Sequence, residues 1–453
     1  MIKAFTENEK LGAIKALLSP HLLSEEVKSE ISRFPSQAIV GLGQGGGRIA
    51  AELSRFGFPT FLLNSSKSDM EEHKNLIPEE RRIVTSSKDF PELEGTDKNA
   101  QLGFEIAKEN VDLYKKVALD DAVQDAEFVW VTVSLGGGTG NGALKVALSL
   151  LSQVRSHRAL PGGKIPLGVI CSLPSSDEKG SAFRKNALAG ISVIQQFMND
   201  NKMGTAIVID NEKMKDYYAN NPLKTYGGTE IDAKSYSNMV IASALAEVSS
   251  LPLLEGRSVY DKTELLTTLS TAGWLSISKN KDLNSDDNIE SVINELFKNN
   301  EVLASYNAKH ALAGAVAVLY PSTKNISPKI ADDVYRYTSD LLTTKVNHAI
   351  AKNSKLENLT LYGLAVYPTP STRIQQLREE LAQWEQIEKE QEEAKKQAAS
   401  SLGLDEFDDF FSSGSSLKAR KKVTLDDLDF GDSDTNEKKK VKPADLNDLD
   451  LDF

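Results

Sequence analysis

The sequence predicts an α/β protein with a parallel sheet, and three observations carry that reading. Short apolar runs rich in β-branched residues alternate with stretches of helical periodicity. Two of those runs lead straight into glycine-rich loops that open helices. After about residue 250 the alternation gives way to fewer, longer elements, the pattern of a smaller α+β region joined by a long helix.

Taken in order, residues 5–33 read as an amphipathic helix, with Leu11, Ile14, Leu17 and Leu18 on one stripe, ended by Phe34-Pro35-Ser36. Strands are expected at Ala38–Leu42, Phe58–Leu63, Arg82–Thr85, Phe128–Val133, Ile165–Leu173 and Thr205–Asp210. Phe128–Val133 is aromatic and β-branched throughout, as suits a strand buried on both faces. Helices are expected between the strands, at 47–56, 103–119, 139–155 and 180–199, then a long one at 232–250. Beyond it the reading is a helix at 262–272, an acidic polar loop at Asn280–Asp287, and strands at 311–320 and 358–367 flanking a helix at 328–351. Residues 371–398 form a very polar helix, with Ile374, Leu377, Leu381 and Trp384 marking one face of its first half.

From 401 onward the composition is that of a disordered segment. It holds 14 acidic and 8 basic residues, so it carries half of the net charge of −12. Three acidic–hydrophobic blocks begin at Leu404, Leu425 and Leu449, separated by the basic clusters Lys418–Lys422 and Lys438–Lys442. Such alternation is a mark of short segments that dock on a partner.

Composition excludes several classes. With 65 acidic and 53 basic residues, a basic nucleic-acid module is disfavoured. The single cysteine, Cys171, excludes an intramolecular disulfide and a cysteine zinc site, and five scattered histidines lack metal-ligand spacing, so no metal-ligating side chains are expected. The longest apolar runs, such as Ala311–Tyr320, fall far short of the ~20 residues of a membrane helix. No secretory signal is seen at the N-terminus, and a cytoplasmic protein without membrane attachment is expected.

The glycine loops carry the chemistry. Gly41, Gly43 and Gly46 satisfy GxGxxG between a strand and a helix, where missing Cβ atoms let phosphate approach backbone amides. Alone this motif also suits an NAD-dependent oxidoreductase, but the next strand ends in Asn64 rather than an acid for the ribose. The second loop, Ser134-Leu-Gly-Gly-Gly-Thr-Gly-Asn-Gly-Ala143, is far more specific. It follows a buried strand and places Thr139 and Gly140 where free helical amides and the helix dipole meet one anion. It lacks the GKS or GKT of a P-loop, so the two loops define a di- or triphosphate site without a phosphate-binding lysine.

Gly136–Gly142 resembles the signature loop of the tubulin/FtsZ superfamily, and Gly43–Ile49 resembles the first nucleotide loop of tubulin. The similarity is greatest to the plasmid and phage tubulins of bacteria, the TubZ group, and covers about residues 36–370. The resemblance extends to Leu62–Asp69, to Gly95 with Asn99–Gly103, to Ile209–Lys213, and to Tyr236-Ser-Asn238 at the start of the central helix. It implies that Gly43, Gln44, Gly45, Gly46, Arg48, Asn64, Asn99, Gly136, Gly137, Gly138, Thr139, Gly140, Asn141, Glu178, Asn211, Tyr236 and Asn238 bind the nucleotide, GTP with Mg²⁺. Glu178 and Arg184 fall in a stretch similar to the ribose-side loop.

Asp261 and Glu264, three residues apart at a helix start, read locally as a cap and a first-turn acid. By the resemblance, this loop enters the next subunit's nucleotide site, with Asp261 the hydrolytic acid and Glu264 its helper. No asparagine precedes Asp261 at the distance found in division-type proteins, so the match is to the family's general plan.

The implied organisation is an N-terminal helical extension (1–35), a GTP-binding domain (36–231), a central helix (232–250), a C-terminal activation domain (251–370), a C-terminal helix (371–400) and a disordered partner-binding tail (401–453). The implied function is a GTPase that polymerises head to tail and segregates or positions plasmid or phage DNA. Its tail would engage a DNA-bound adaptor or the DNA complex itself. A non-hydrolysing filament scaffold is the main alternative.

Overall fold

The structure is a computed structural model that describes residues 31–88, 91–224, 228–254, 256–283, 288–307, 309–353 and 356–401. The expected N-terminal helix, apart from the 3-10 turn at Ile31–Arg33, and the expected tail beyond Ser401 lie outside these residues.

The first part alternates as the sequence predicts. In chain order it comprises β1 (Gln37–Leu42), α1 (Gly43–Ser54), β2 (Thr60–Asn64), α2 (Lys67–Glu71), β3 (Arg82–Val84), α3 (Ala100–Glu109), α4 (Val111–Ala118), α5 (Asp121–Gln124) and β4 (Phe128–Ser134). Then come α6 (Thr139–Ser156), β5 (Leu167–Leu173), α7 (Ser181–Asn199), β6 (Thr205–Asp210) and α8 (Asn211–Asn220). The strand order is β3-β2-β1-β4-β5-β6, all parallel. Chain direction across the sheet reverses between β1 and β4, and open α/β sheets place their ligand crevice at the carboxyl ends beside such a switch. The core strands β1, β4 and β5 are buried along almost their full length, which is why they read as mainly apolar runs.

The long helix α9 (Ala233–Ser249) follows, buried from Val240 onward. After it come β7 (Gly256–Ser258), α10 (Lys262–Leu269), β8 (Gly273–Leu283), α11 (Ile289–Asn299), β9 (Ala313–Pro321), α12 (Ile330–Leu342), β10 (Val346–Asn353), β11 (Leu359–Tyr367) and α13 (Arg373–Ser401). The sheet does not stop at β6. β8 adds to it in parallel, and β11, β9, β10 and β7 complete an eleven-stranded sheet of mixed direction. A second apolar cluster gathers Ile293, Leu296 and Phe297 of α11 with Val318, Val334, Ile350 and Leu361.

α9 is tied to the sheet at two polar points. Gln37 links them by accepting from Trp130 Nε1 at 2.7 Å and donating to Ser249 Oγ at 2.8 Å. Lys279 of β8 meets Glu247 of α9 at 3.0 Å, with both side chains almost wholly buried.

Three expectations change. The helix expected over 328–351 ends at Leu342, where Thr343 takes a left-handed φ of 52°, and Val346–Asn353 pairs in parallel with β9. The Ala-containing run Val346–Ala351 suits either state locally, and cross-strand pairing decides. The loop expected from Asn280 begins as strand, since β8 runs through Leu283 against β11. The single helix expected at 103–119 breaks at Asn110, whose side chain donates to the Ser86 and Ile106 carbonyls. Contacts group residues Met1–Ala382 into one unit and Gln383–Phe453 into another. In the second, the described stretch of α13 is polar and largely exposed, with ion pairs such as Lys396–Glu392 along its surface.

Candidate functional site

A cleft of about 390 Å³ opens at the carboxyl ends of the parallel strands, where the switch in strand order predicts one. Leu42 ends β1, Asn64 ends β2, Ser134 ends β4 and Ser172 lies near the end of β5; all four line it.

Two helices begin at this cleft without a side-chain cap. α1 follows Leu42 and α6 follows Gly138, and neither flanking residue offers an acceptor to the first-turn amides. Those amides and the positive ends of two helix dipoles therefore serve one crevice, an arrangement that favours a polyanion. The helices can converge because both loops are glycine. A Cβ on Gly43 would lie 2.7 Å from the Gly140 nitrogen, and one on Gly140 would lie 2.4 Å from the Leu42 carbonyl oxygen. Gly43 also needs its φ of +64°. Gly138 faces backward, so that a Cβ would strike Thr96 Oγ1 at 2.2 Å. The second loop's glycines thus serve backbone-to-backbone contact as well as open amides.

Side chains complete the walls. Asp69 accepts from Gln44 Nε2 at 2.7 Å and from Asn64 Nδ2 at 3.1 Å, which fixes its carboxylate in the lining. Thr139 Oγ1 lies 3.0 Å from Ser65 Oγ and 3.3 Å from Thr96 Oγ1. Arg48 pairs with Glu72 through both Nε and Nη2. On the other wall, Glu178 pairs with Lys234 at 3.1 Å and accepts from the Ser175 amide. Lys98 sits in a left-handed turn with φ of 64°, its ammonium 5.0 Å from the Phe183 ring centre.

Of the residues singled out from the sequence, Gly43, Gln44, Gly45, Arg48, Asn64, Gly137, Gly138, Thr139, Gly140, Glu178, Asn211 and Asn238 line the cleft. The others stand behind it. Gly46 abuts the Thr132 carbonyl, and Gly136 abuts the Phe183 ring. Asn99 caps α3 by accepting from the Leu102 amide, and Asn141 is buried with its amide on the Asn186 carbonyl. Tyr236 is buried and stacked against Tyr217 at 6.4 Å, and its burial raises the phenol's pKa above the usual value. Two lysines that the sequence reading did not single out, Lys98 and Lys234, also line it. They come from a loop and from the first turn of α9, and neither belongs to a phosphate-loop motif that would announce it. Asp69, Thr96, Ser134, Ser172 and Phe183 also join the lining.

Asp261 and Glu264 lie elsewhere. They form a reciprocal capping box at the start of α10: Asp261 accepts from the Glu264 amide at 2.8 Å, and Glu264 accepts from the Asp261 amide at 3.1 Å. The next residue, Lys262, pairs with Glu127 at 2.6 Å, and Glu127 accepts from the Ser36 amide at 2.9 Å. Ser36 precedes β1, whereas the cleft lies past its last residue. The length of β1, about 20 Å at the usual rise, therefore separates the capping box from the cleft, and Asp261 is exposed on that far edge.

Among the described residues no cluster of three or more His, Cys, Asp or Glu side chains could hold a metal alone, and no helix is long and apolar enough to cross a membrane.

No family model matches the chain. Among curated proteins, "Tubulin-like protein TubZ" of Bacillus cereus is 28% identical over 272 residues, 56% of this chain and 57% of that protein, so the chain spans little more than half the length of that relative. "Tubulin-like protein CetZ" of Thermococcus kodakarensis is 25% identical over 392 residues, 83% of this chain and 94% of that protein. Among solved structures, a GTPγS-form protofilament of Bacillus thuringiensis serovar israelensis TubZ superimposes with a TM-score of 0.66 at 20% identity, covering 83% of this chain and 99% of the other. Sequence and architecture agree with the glycine loops: the chain is a homologue of tubulin-like TubZ and CetZ proteins and has the fold of the tubulin/FtsZ superfamily.

Proposed function

We propose that this protein is a GTPase that polymerises head to tail, and that an acid from one copy completes the cleft of the next. The observation that carries the reading is the placement of the two parts on opposite edges of one sheet. The uncapped helix starts gather at the carboxyl edge, and exposed Asp261 lies at the amino edge. Within one copy about 20 Å of strand keeps them apart. In a row of copies stacked edge to edge, each Asp261 meets the cleft of its neighbour. A heterologous contact of this kind builds a filament when its rotation does not close into a ring. The similar Bacillus thuringiensis TubZ structure is a GTPγS-form protofilament, which supports the nucleotide and the self-association.

In this reading the amides of α1 and α6 receive the phosphates. Glu178, Asn211 and Asn238 line the ribose and base end. Asp261 orients the attacking water, with Glu264 holding its backbone. Phosphoryl transfer asks chiefly for alignment and charge stabilisation, so one well-placed carboxylate is a sufficient addition. The lining also fits Mg²⁺, which is usually held by one or two carboxylates together with substrate phosphates. Asp69 is the carboxylate that would hold it, and the ion would neutralise charge on the phosphate oxygens. The acidic–hydrophobic tail beyond 401 would carry cargo, a DNA-bound adaptor of plasmid or phage DNA.

The capping box favours one second reading, a filament scaffold that does not hydrolyse GTP, because both carboxylates already have partners in their own chain. Phosphate release separates the two. A site shared between copies gives a release rate that rises more steeply than protein concentration and tracks light scattering. A rate strictly proportional to protein concentration refutes the shared site, and assembly without release favours the scaffold.

A further inference from the structure

The wall of the cleft that carries Glu178 is held in place from the C-terminal helix. Two arginines do the holding, and both are deeply buried, Arg184 at 1% and Arg373 at 2% exposure. Arg373 Nη2 donates to the Pro174 carbonyl at 2.9 Å. Arg184 Nη2 donates to the Ser175 carbonyl at 3.1 Å, and its Nη1 donates to the Glu178 carbonyl. The loop's amides are satisfied separately: Ser175 N–H by the Glu178 carboxylate, Ser176 N–H by Glu212. One carboxylate joins the two arginines. Glu380 Oε2 accepts from Arg184 Nε at 2.9 Å, and its Oε1 accepts from Arg373 Nη1.

We infer that Glu380 is a positioning residue for the cleft: by bridging buried Arg184 and Arg373 it sets the loop 174–178, and with it the Glu178–Lys234 wall. Two buried guanidiniums carry a cost that an anion between them offsets, and removing that anion is destabilising. Asp210 also lies 3.6 Å from Arg373, and Glu380 Oε2 lies 2.8 Å from Arg184 Nη2. Glu380 stands two turns into α13, so docking of that helix and ordering of the cleft wall are one event. By linkage, a ligand that orders the wall tightens the helix, and release of the helix loosens the wall. The inference rests on the reading that the cleft takes a guanine nucleotide, and it adds a control point outside the lining.

The test uses the full-length chain with Glu380→Gln, which keeps shape and removes charge, and Glu380→Asp, which keeps charge on a shorter arm. Glu379→Gln, on the exposed side with its partner Gln375, is the control. Two quantities are read: deuterium uptake of the 174–180 peptide in nucleotide-free protein, and the Kd for GDP by calorimetry. Glu380→Gln should speed uptake in that peptide and weaken GDP by about tenfold, the factor that goes with one charge-assisted hydrogen bond. Glu380→Asp should recover part of both, and Glu379→Gln should change neither. Uptake unchanged in Glu380→Gln overturns the inference, as does a change spread evenly over the whole chain, which signals general loosening. If wild type binds no GDP while Glu380→Gln still speeds uptake at 174–180, the positioning role stands and the nucleotide reading falls.

Discussion

Replacing Asp261 separates its two roles. As N-cap of α10 it accepts from the Glu264 amide at 2.8 Å; as the proposed trans acid it needs a carboxylate. Asparagine caps as well as aspartate, whereas alanine loses about 1 kcal/mol. Asp261→Asn should therefore keep stability within about 0.5 kcal/mol, the loss being only the acid's interaction with the helix dipole. Asp261→Ala should lose about 1–2 kcal/mol, a fall of roughly 1–2 °C in Tm for a chain of this size. Neither loss explains a large kinetic defect, since 1 kcal/mol is about a fivefold factor. If Asp261 orders the water, both variants should lower phosphate release by roughly 10²-fold or more while still assembling with GTP. The assays are thermal melting, GTP-dependent light scattering and phosphate release on the same preparations. Release by Asp261→Asn at the wild-type rate per assembled subunit would refute the reasoning, leaving Asp261 as a cap alone.

Three further outcomes are expected. Gly140→Ala places a methyl 2.4 Å from the Leu42 carbonyl and must push the two glycine loops apart; melting should show a loss of about 1–3 kcal/mol, and calorimetry a weakened GDP site. Lys279→Met should destabilise by about 3–5 kcal/mol in urea unfolding by removing the cation that faces buried Glu247, whereas the double change with Glu247→Leu should recover most of the loss. Burial lowers the Lys213 ammonium to about 8 against the raising influence of Glu301 and Asp210. The folded chain then holds fewer protons than the unfolded chain above about pH 8, so this group adds stability as pH rises from about 8 toward the ordinary lysine value. Lys213→Met should remove that slope from urea melts measured across the window.

The sequence alone determined the first half of the fold and the glycine-loop end of the cleft. Their signals are local: β1 and β4 are mostly apolar because both faces are buried, and each empties into glycines, several of which, such as Gly43, Gly138 and Gly140, are needed for close backbone approach. The tubulin-like resemblance is strongest in the second of those loops and extends to four further stretches of the chain. Tertiary structure decided the rest, because the deciding partners are far apart in sequence. Val346–Asn353 becomes a strand only beside β9. Lys98 and Lys234 reach the cleft from segments with no phosphate-loop pattern, while Tyr236 and Asn141 turn inward behind it. Glu380 meets Arg184 across 196 positions of chain, and no local pattern carries such a pairing. Asp261 shows the division most plainly: its capping box is written in four consecutive residues, but its place on the edge opposite the cleft exists only once the sheet is built.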